Sequence, residues 1–367
     1  SVPDDGYCYV KISFLSNGDQ IIPDGTELAF SQFKLSSQPI TYARIETGML
    51  CCDNGDRFVT VYGDNFEYKY DKRIAGFCSM KVKGTELLKT PMKFNVYRAK
   101  IDNDRKIDAK FKGIRADKSY PVSRNTEVIE ANSKVEISSQ FSVSALSKYN
   151  IIDGVANWTV YDDGRIHLEI NAGVGRGIKF SEDFDSDLDI TLRTAQFVEY
   201  LPRFGITLSM DKEYRNLQYF GMGPGESYCD LKNSSYMGLF NSTVKKEYVH
   251  FVKPQACGNH TNTLFAAVYN NHKYGIIIST QKSSGFDFSA LPLSETEIEN
   301  AGHDYALPTS TATHLSFDYK QSGLGSGSCG PMLLEKYRFN EPEFNWQIDI
   351  SPVTPNLNSL WQKALEL

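Results

Sequence analysis

A chain of 367 residues exceeds one average domain, yet single all-β units commonly run past two hundred residues, so the length suits one large domain with an appendage. A formal net charge of -6 without any clustered run of Lys or Arg argues against a nucleic-acid or anionic-membrane surface, and no apolar run approaches the roughly 18 residues that span a bilayer. Seven cysteines with no CxxC pair indicate neither a disulfide framework nor a zinc site; read as reduced thiols, they suggest a cytoplasmic protein.

Residues 7–14 alternate between Tyr7, Tyr9, Lys11, Ser13 and Cys8, Val10, Ile12, Phe14. Turns follow at Asn17-Gly18 and Pro23-Asp24-Gly25, so two or three strands are predicted here. So few strands cannot close a sandwich core, and 1–40 is read as the tail of a preceding immunoglobulin-like domain, with a linker from Ser36 to Tyr42. A hairpin is predicted from Phe58–Tyr62 to Phe66–Tyr70 across Gly63-Asp64-Asn65. A second joins Ala156, Trp158 and Val160 to Ile166, Leu168 and Ile170 across Asp163-Gly164. Further alternating segments lie at 134–143, 204–210, 264–269, 274–279, 313–319 and 344–350. Strands this frequent, without intervening helices, predict an all-β fold, a large antiparallel β-sandwich over 41–355. A short amphipathic helix or linker closes the chain at 356–367.

Several stretches could carry chemistry. Asp102-Asn103-Asp104 offers two carboxylates on one side of an extended backbone, or an Asx turn that ends a strand. Gly221-Met222-Gly223-Pro224-Gly225-Glu226 looks superficially like a phosphate loop, but Pro224 removes an amide donor and no Lys-Ser/Thr pair follows. Glu226 has no obvious carboxylate partner and reads as a brace. Asn259 and His260 could face sugar hydroxyls, and Phe288 in Phe286-Asp287-Phe288-Ser289 could offer a ring to a sugar or belong to a core strand. The six histidines lack HxxxH or HxxEH spacing, so no metal site is assigned. No residue of the chain is assigned a catalytic role.

Seven motifs in order carry a resemblance. They are Tyr97-Arg98-Ala99 with Asp102-Asn103-Asp104; Leu201-Pro202-Arg203-Phe204-Gly205; Tyr219-Phe220-Gly221-Met222-Gly223-Pro224 with Glu226-Ser227-Tyr228; and Lys253-Pro254-Gln255 with Gly258-Asn259-His260-Thr261. Phe288-Ser289-Ala290, Asp318-Tyr319-Lys320-Gln321, and Gly323-Leu324-Gly325 with Gly330-Pro331 complete the series. From about Gly48 to Ile350 the chain resembles the carboxyl-terminal small-chain region of β-galactosidases of glycoside hydrolase family 2. The resemblance implies a galactose-mutarotase-like sandwich and a retaining galactosidase whose two catalytic glutamates sit on a (β/α)8 barrel outside this chain. Any Mg or Na cofactor would lie in that barrel, and the parent would act on β-galactosides, with homo-oligomeric assembly as one form. It also implies that this region forms one wall of the active-site mouth, including the loop Arg105-Lys106-Ile107-Asp108, which places Asp102, Asn103, Asp104 and Arg105 near substrate; Asn259, His260 and Phe288 join that set on the reading of the residues themselves. Arg98, Gly223, Pro224 and Glu226 would be structural. The family often carries Trp where this chain has Tyr97, Phe265 and Cys329, and a thiol at Cys329 cannot stack on a sugar. Two other readings compete. One is a carbohydrate-binding or scaffold module; the other is an aldose 1-epimerase, for which His260 with Glu226 is the nominated pair.

Overall fold

The computed structural model describes residues 6–19, 21–38, 48–146, 148–180, 196–355, 357 and 359–365. Alternation with period two puts Ala156, Trp158 and Val160 on one face of the strand Ile152–Tyr161, and Ile166, Leu168 and Ile170 on the same face of Ile166–Val174. These strands lie within a sheet of nine. Its order is Tyr236–Thr243, Asn216–Gly223, Phe265–Tyr269, Gly275–Ser279, Glu343–Val353, Ile166–Val174, Ile152–Tyr161, Lys134–Ser144 and Tyr120–Ala131. All of its pairings are antiparallel.

Two smaller sheets cover the inner face of the large one. The first has the order His260–Thr263, Phe286–Leu291, Ala312–Gln321, Arg203–Asp211 and Thr90–Asn95. The second runs Cys51–Asn54, Phe58–Gly63, Phe66–Asp71, Gly76–Val82 and Thr85–Glu86. Aromatic side chains join the layers. Phe94 stacks on Phe141 at 4.2 Å between centroids, and Phe77 meets the buried Trp158 edge-on at 5.3 Å. Every large side chain here leaves water, and such burial contributes roughly 25 cal/mol per Å2 of apolar surface. The antiparallel sandwich expected from the alternation is the fold observed.

The N-terminal segment forms one hairpin, Gly6–Leu15 with Glu27–Gln38. The second strand continues through Ser36, where the ladder pairs it with Cys8, so the linker expected from Ser36 does not begin there; residues 39–42 of it lie outside the described residues. The hairpin lies on the outer face of the large sheet. Tyr7 and Tyr9 approach Phe220, and the Gln32 side chain both donates to and accepts from the Met237 backbone. The helix Leu360–Leu365 packs beside it through Trp361, which contacts Tyr7, Phe220 and Phe265. Among the described residues, no helix is long and apolar enough to cross a membrane.

Candidate functional site

Immediately after the strand Thr90–Asn95, the chain turns at Arg98, whose guanidinium is almost wholly buried. It clamps Asp104 with two bonds, Nη1 to Oδ2 at 2.6 Å and Nη2 to Oδ1 at 3.1 Å, and Asp104 Oδ2 also accepts the Ile101 amide. Burial pulls this guanidinium down, but the paired Asp104 carboxylate outweighs burial and holds it above its usual value. The result is a rigid 3-10 turn, Asp102–Arg105. Asp104 is therefore internal, whereas Asp102 and Arg105 project into solvent and Asn103 is half-buried.

Asn103 ties that turn to a loop more than two hundred residues away. Its Nδ2 donates to the Gly325 carbonyl at 2.6 Å, and its Oδ1 accepts the Ser328 amide. The backbones meet so closely that a Cβ at Gly327 would sit 2.6 Å from the Asn103 carbonyl oxygen. Asp230 supports the same loop by accepting the amides of Leu324 and Gly325. From the third side, the Gln255 side chain accepts the Asp102 amide at 3.1 Å. Three segments that are remote in sequence thus make one rim, carrying exposed Asp102, Arg105, Lys106 and Cys329.

The glycine-rich loop lies behind this rim. Gly223 and Pro224 are joined by a cis peptide, and a Cβ at Gly223 would meet the Tyr219 hydroxyl at 2.5 Å. Glu226 Oε2 accepts the Gly258 amide at 2.8 Å and the Tyr228 hydroxyl at 3.2 Å. Ser227 and Asn259 exchange bonds in both directions. Glu226 therefore fastens the 221–228 loop to the 258–261 loop.

Four residues expected to face substrate lie inside the protein. Asn259 is 2% exposed, its amide donating to the Ser227 carbonyl and accepting from the Gln321 side chain. His260 has no exposed surface; its Nδ1 is engaged with the Met222 carbonyl and its Nε2 with Glu247 at 2.7 Å, while Tyr219 packs against the ring. Its carboxylate partner is Glu247, not Glu226, so the nominated epimerase pair is not assembled. Phe288 is also fully buried, paired with His260 across the ladder, because an apolar residue at that strand position points into the core. Asp104 is turned inward by Arg98.

A buried polar network on the five-stranded sheet that contains Arg203–Asp211 is absent from the motifs read as candidate sites. Asp287 and Asp318 stand directly opposite one another, and a Cβ at Gly205 would fall 2.0 Å from Asp318 Oδ1, so only glycine leaves room for that carboxylate. Burial, reinforced by the Asp318 charge, pushes the Asp287 carboxyl up to about 6, against hydrogen bonds from Thr261, Gln321 and Asn259. Burial likewise raises Asp318 and Glu295, while Arg203 opposes it in both. The available signal was a carboxylate inside apolar strand text, as in Phe286-Asp287-Phe288 and Phe317-Asp318-Tyr319. Among the described residues, no group of three or more His, Cys, Asp or Glu is placed to hold a metal ion.

The family described as "Beta galactosidase small chain" matches residues 62–350. The chain belongs to that family. A β-galactosidase of Actinobacillus pleuropneumoniae is 30% identical over 292 residues, covering 80% of this chain and 26% of that protein. One of Priestia megaterium is 26% identical over 307 residues, covering 82% and 27% respectively. This small-chain member thus spans about a quarter of the length of the curated relatives it matches. Among solved structures, a galactose 1-epimerase from Lactobacillus acidophilus NCFM aligns over 95% of this chain and 100% of its own, with a TM-score of 0.39 and 8% identity.

Proposed function

We propose that this chain is the non-catalytic small-chain portion of a β-galactosidase that releases terminal β-D-galactose from β-galactosides, and that its rim forms one wall of the active-site mouth. The observation that carries the reading is the joint held by Asn103, which fixes an exposed loop, 102–106, against the 323–330 loop in a chain of this family. Retaining hydrolysis needs two carboxylates about 5 Å apart across the scissile bond. The rim offers a different set of groups. Asp104 is neutralised by Arg98, and Asp102 stands on an exposed turn whose amide is tied to Gln255. The two catalytic carboxylates belong, in this reading, to a (β/α)8 barrel in the same or a companion polypeptide. That barrel is the partner against which the rim packs.

The purified 367-residue chain, given a chromogenic β-galactoside, is expected to release no chromophore above the uncatalysed rate. The full-length protein that contains it is expected to cleave the same compound with retention of anomeric configuration, read by NMR of the first product. Hydrolysis by the chain alone, or inactivity of the full-length protein on every galactoside, would overturn the proposal.

A further inference from the structure

The five-stranded sheet that contains Arg203–Asp211 has a second face, turned away from the core, and period-two alternation dictates what it presents. In Arg203–Asp211 the residues facing inward are Phe204, Ile206, Leu208 and Met210, which leaves Arg203, Gly205, Thr207 and Ser209 for the other side. Strand register then lines hydroxyls up across the sheet. Thr207 stands opposite Ser316, and Ser316 opposite Ser289, giving a continuous row over three strands with Lys93 at its end. One register step away lies the row Gly205, Asp318, Asp287.

Over this face arch the segment Leu293–Ile298 and the turn at Arg98, enclosing a cavity of about 440 Å3. That volume falls within the roughly 300–1,000 Å3 of small-molecule sites. Leu291, Leu293 and Ile298 provide apolar wall, and the Glu295 carboxylate lines the space with about a third of its side chain open.

Two guanidiniums line the cavity, each with side chains only 3% exposed, and their charges are already met. Arg98 is paired with Asp104. Arg203 sits 2.9 Å from Glu295 and 3.6 Å from Asp318. Their hydrogen-bonding capacity is not met: Arg98 Nε and Arg203 Nε and Nη2 have no hydrogen-bond partner, the Arg203 to Glu295 approach being an ion-pair contact without alignment. Buried polar atoms left in this state are costly and require a specific reason. Lys93 adds an exposed cation at the open end of the row, but around the two guanidiniums a further charge would disturb a balanced set, so an anion is a poor complement there. A group that both accepts and donates while remaining neutral is a good one, and a hydroxyl does both.

We infer that this cavity is a binding site for a neutral polyhydroxylated ligand of monosaccharide size, held by the Thr207, Ser316 and Ser289 row and by the unpartnered N–H groups of Arg98 and Arg203. The inference stands on the cavity and does not rest on the galactosidase reading.

The test is a calorimetric titration of the 367-residue chain with galactose, glucose and myo-inositol, alongside acetate and inorganic phosphate as anionic probes. Saturable binding of at least one neutral polyol is expected, with a dissociation constant of about 1 mM, and none of either anion. Ser316→Leu, which fills the middle of the hydroxyl row, is expected to weaken binding at least about tenfold, corresponding to about 1.4 kcal/mol. Should that variant fail to fold, as judged by circular dichroism, Ser289→Ala decides the question. It removes one hydroxyl and is expected to weaken binding about fivefold, as the loss of one net hydrogen bond would. Absence of saturable polyol binding, preference for acetate or phosphate, or affinity unchanged in a folded variant would each overturn the site. None of these measurements depends on galactoside hydrolysis.

Discussion

Arg98 and Asp104 show what a buried charge demands of its neighbour. Each side chain is at most 6% exposed, and the two are bonded at both oxygens. Removing either one strands the other away from water, so Arg98→Ala or Asp104→Ala is expected to lower unfolding free energy by about 3–5 kcal/mol in urea denaturation. An effect below about 1 kcal/mol would show that the pair is not shielded as described. Asp287 makes a prediction of the opposite kind. Its carboxyl is raised to about 6 from 3.8, so between those values the folded protein keeps a proton that the unfolded chain gives up. The stabilising contribution is complete below about pH 4 and is lost as pH rises through about 6. Asp287→Asn removes this dependence. Stability of the native protein relative to that variant is expected to fall, on the order of 2–3 kcal/mol, from about pH 4 to pH 7, measured by denaturation at both ends. A pH-independent difference would refute the assignment.

At the level of elements, the outer face of the large sheet holds the N-terminal hairpin and the C-terminal helix through a shared aromatic contact. Trp361 is the link, 5.1 Å from Phe220, 5.3 Å from Phe265 and 6.0 Å from Tyr7 between centroids. Trp361→Ala is expected to cost about 2 kcal/mol, less than for a fully buried Trp because the side chain is half-buried. It should also speed amide exchange in Gly6–Leu15 while the Trp158 strand stays protected. Equal protection in both variants would mean that the hairpin is held by its other contacts.

The elements also show what the sequence made legible. The Ile152–Tyr161 hairpin was readable because fully buried residues alternate with half-buried ones, and the Phe58–Gly63 hairpin through its Gly63-Asp64-Asn65 turn and apolar alternation, although Val59, Thr60 and Val61 are all buried. Tyr120–Ala131 was not, since it is an edge strand largely exposed along its length and its text carries no alternation. The motifs of the rim could be read as text, but Asn103 and Gly325 lie 222 positions apart, and only the fold brings them together. His260 and Phe288 were misplaced for a related reason. A polar or aromatic residue in a motif signals importance without saying whether it points inward, and ladder parity decided that both do.

For the whole molecule, the proposed mouth wall needs its three segments to keep one shape, and Asn103 makes the two shorter bonds from the 102–106 turn to the 323–330 loop, beside a long one from Lys106 Nζ to the Gly330 carbonyl at 3.5 Å. Losing those bonds leaves the Arg98–Asp104 clamp intact, so the turn itself should hold while its angle to the 323–330 loop relaxes. Misplacing a site wall by about 1 Å can reduce catalysis as much as a hundredfold when the wall orients substrate. In the full-length protein, Asn103→Ala is therefore expected to lower kcat/KM for a β-galactoside by about tenfold or more, mainly through KM, with the melting temperature nearly unchanged. Asn103→Asp keeps the acceptor for the Ser328 amide but loses the donor to Gly325, and is expected to fall between the two. A parallel loss of stability and activity would assign Asn103 to folding alone. Unchanged kinetics in both variants would remove the rim from the mouth, because a wall that can shift without consequence does not contact substrate.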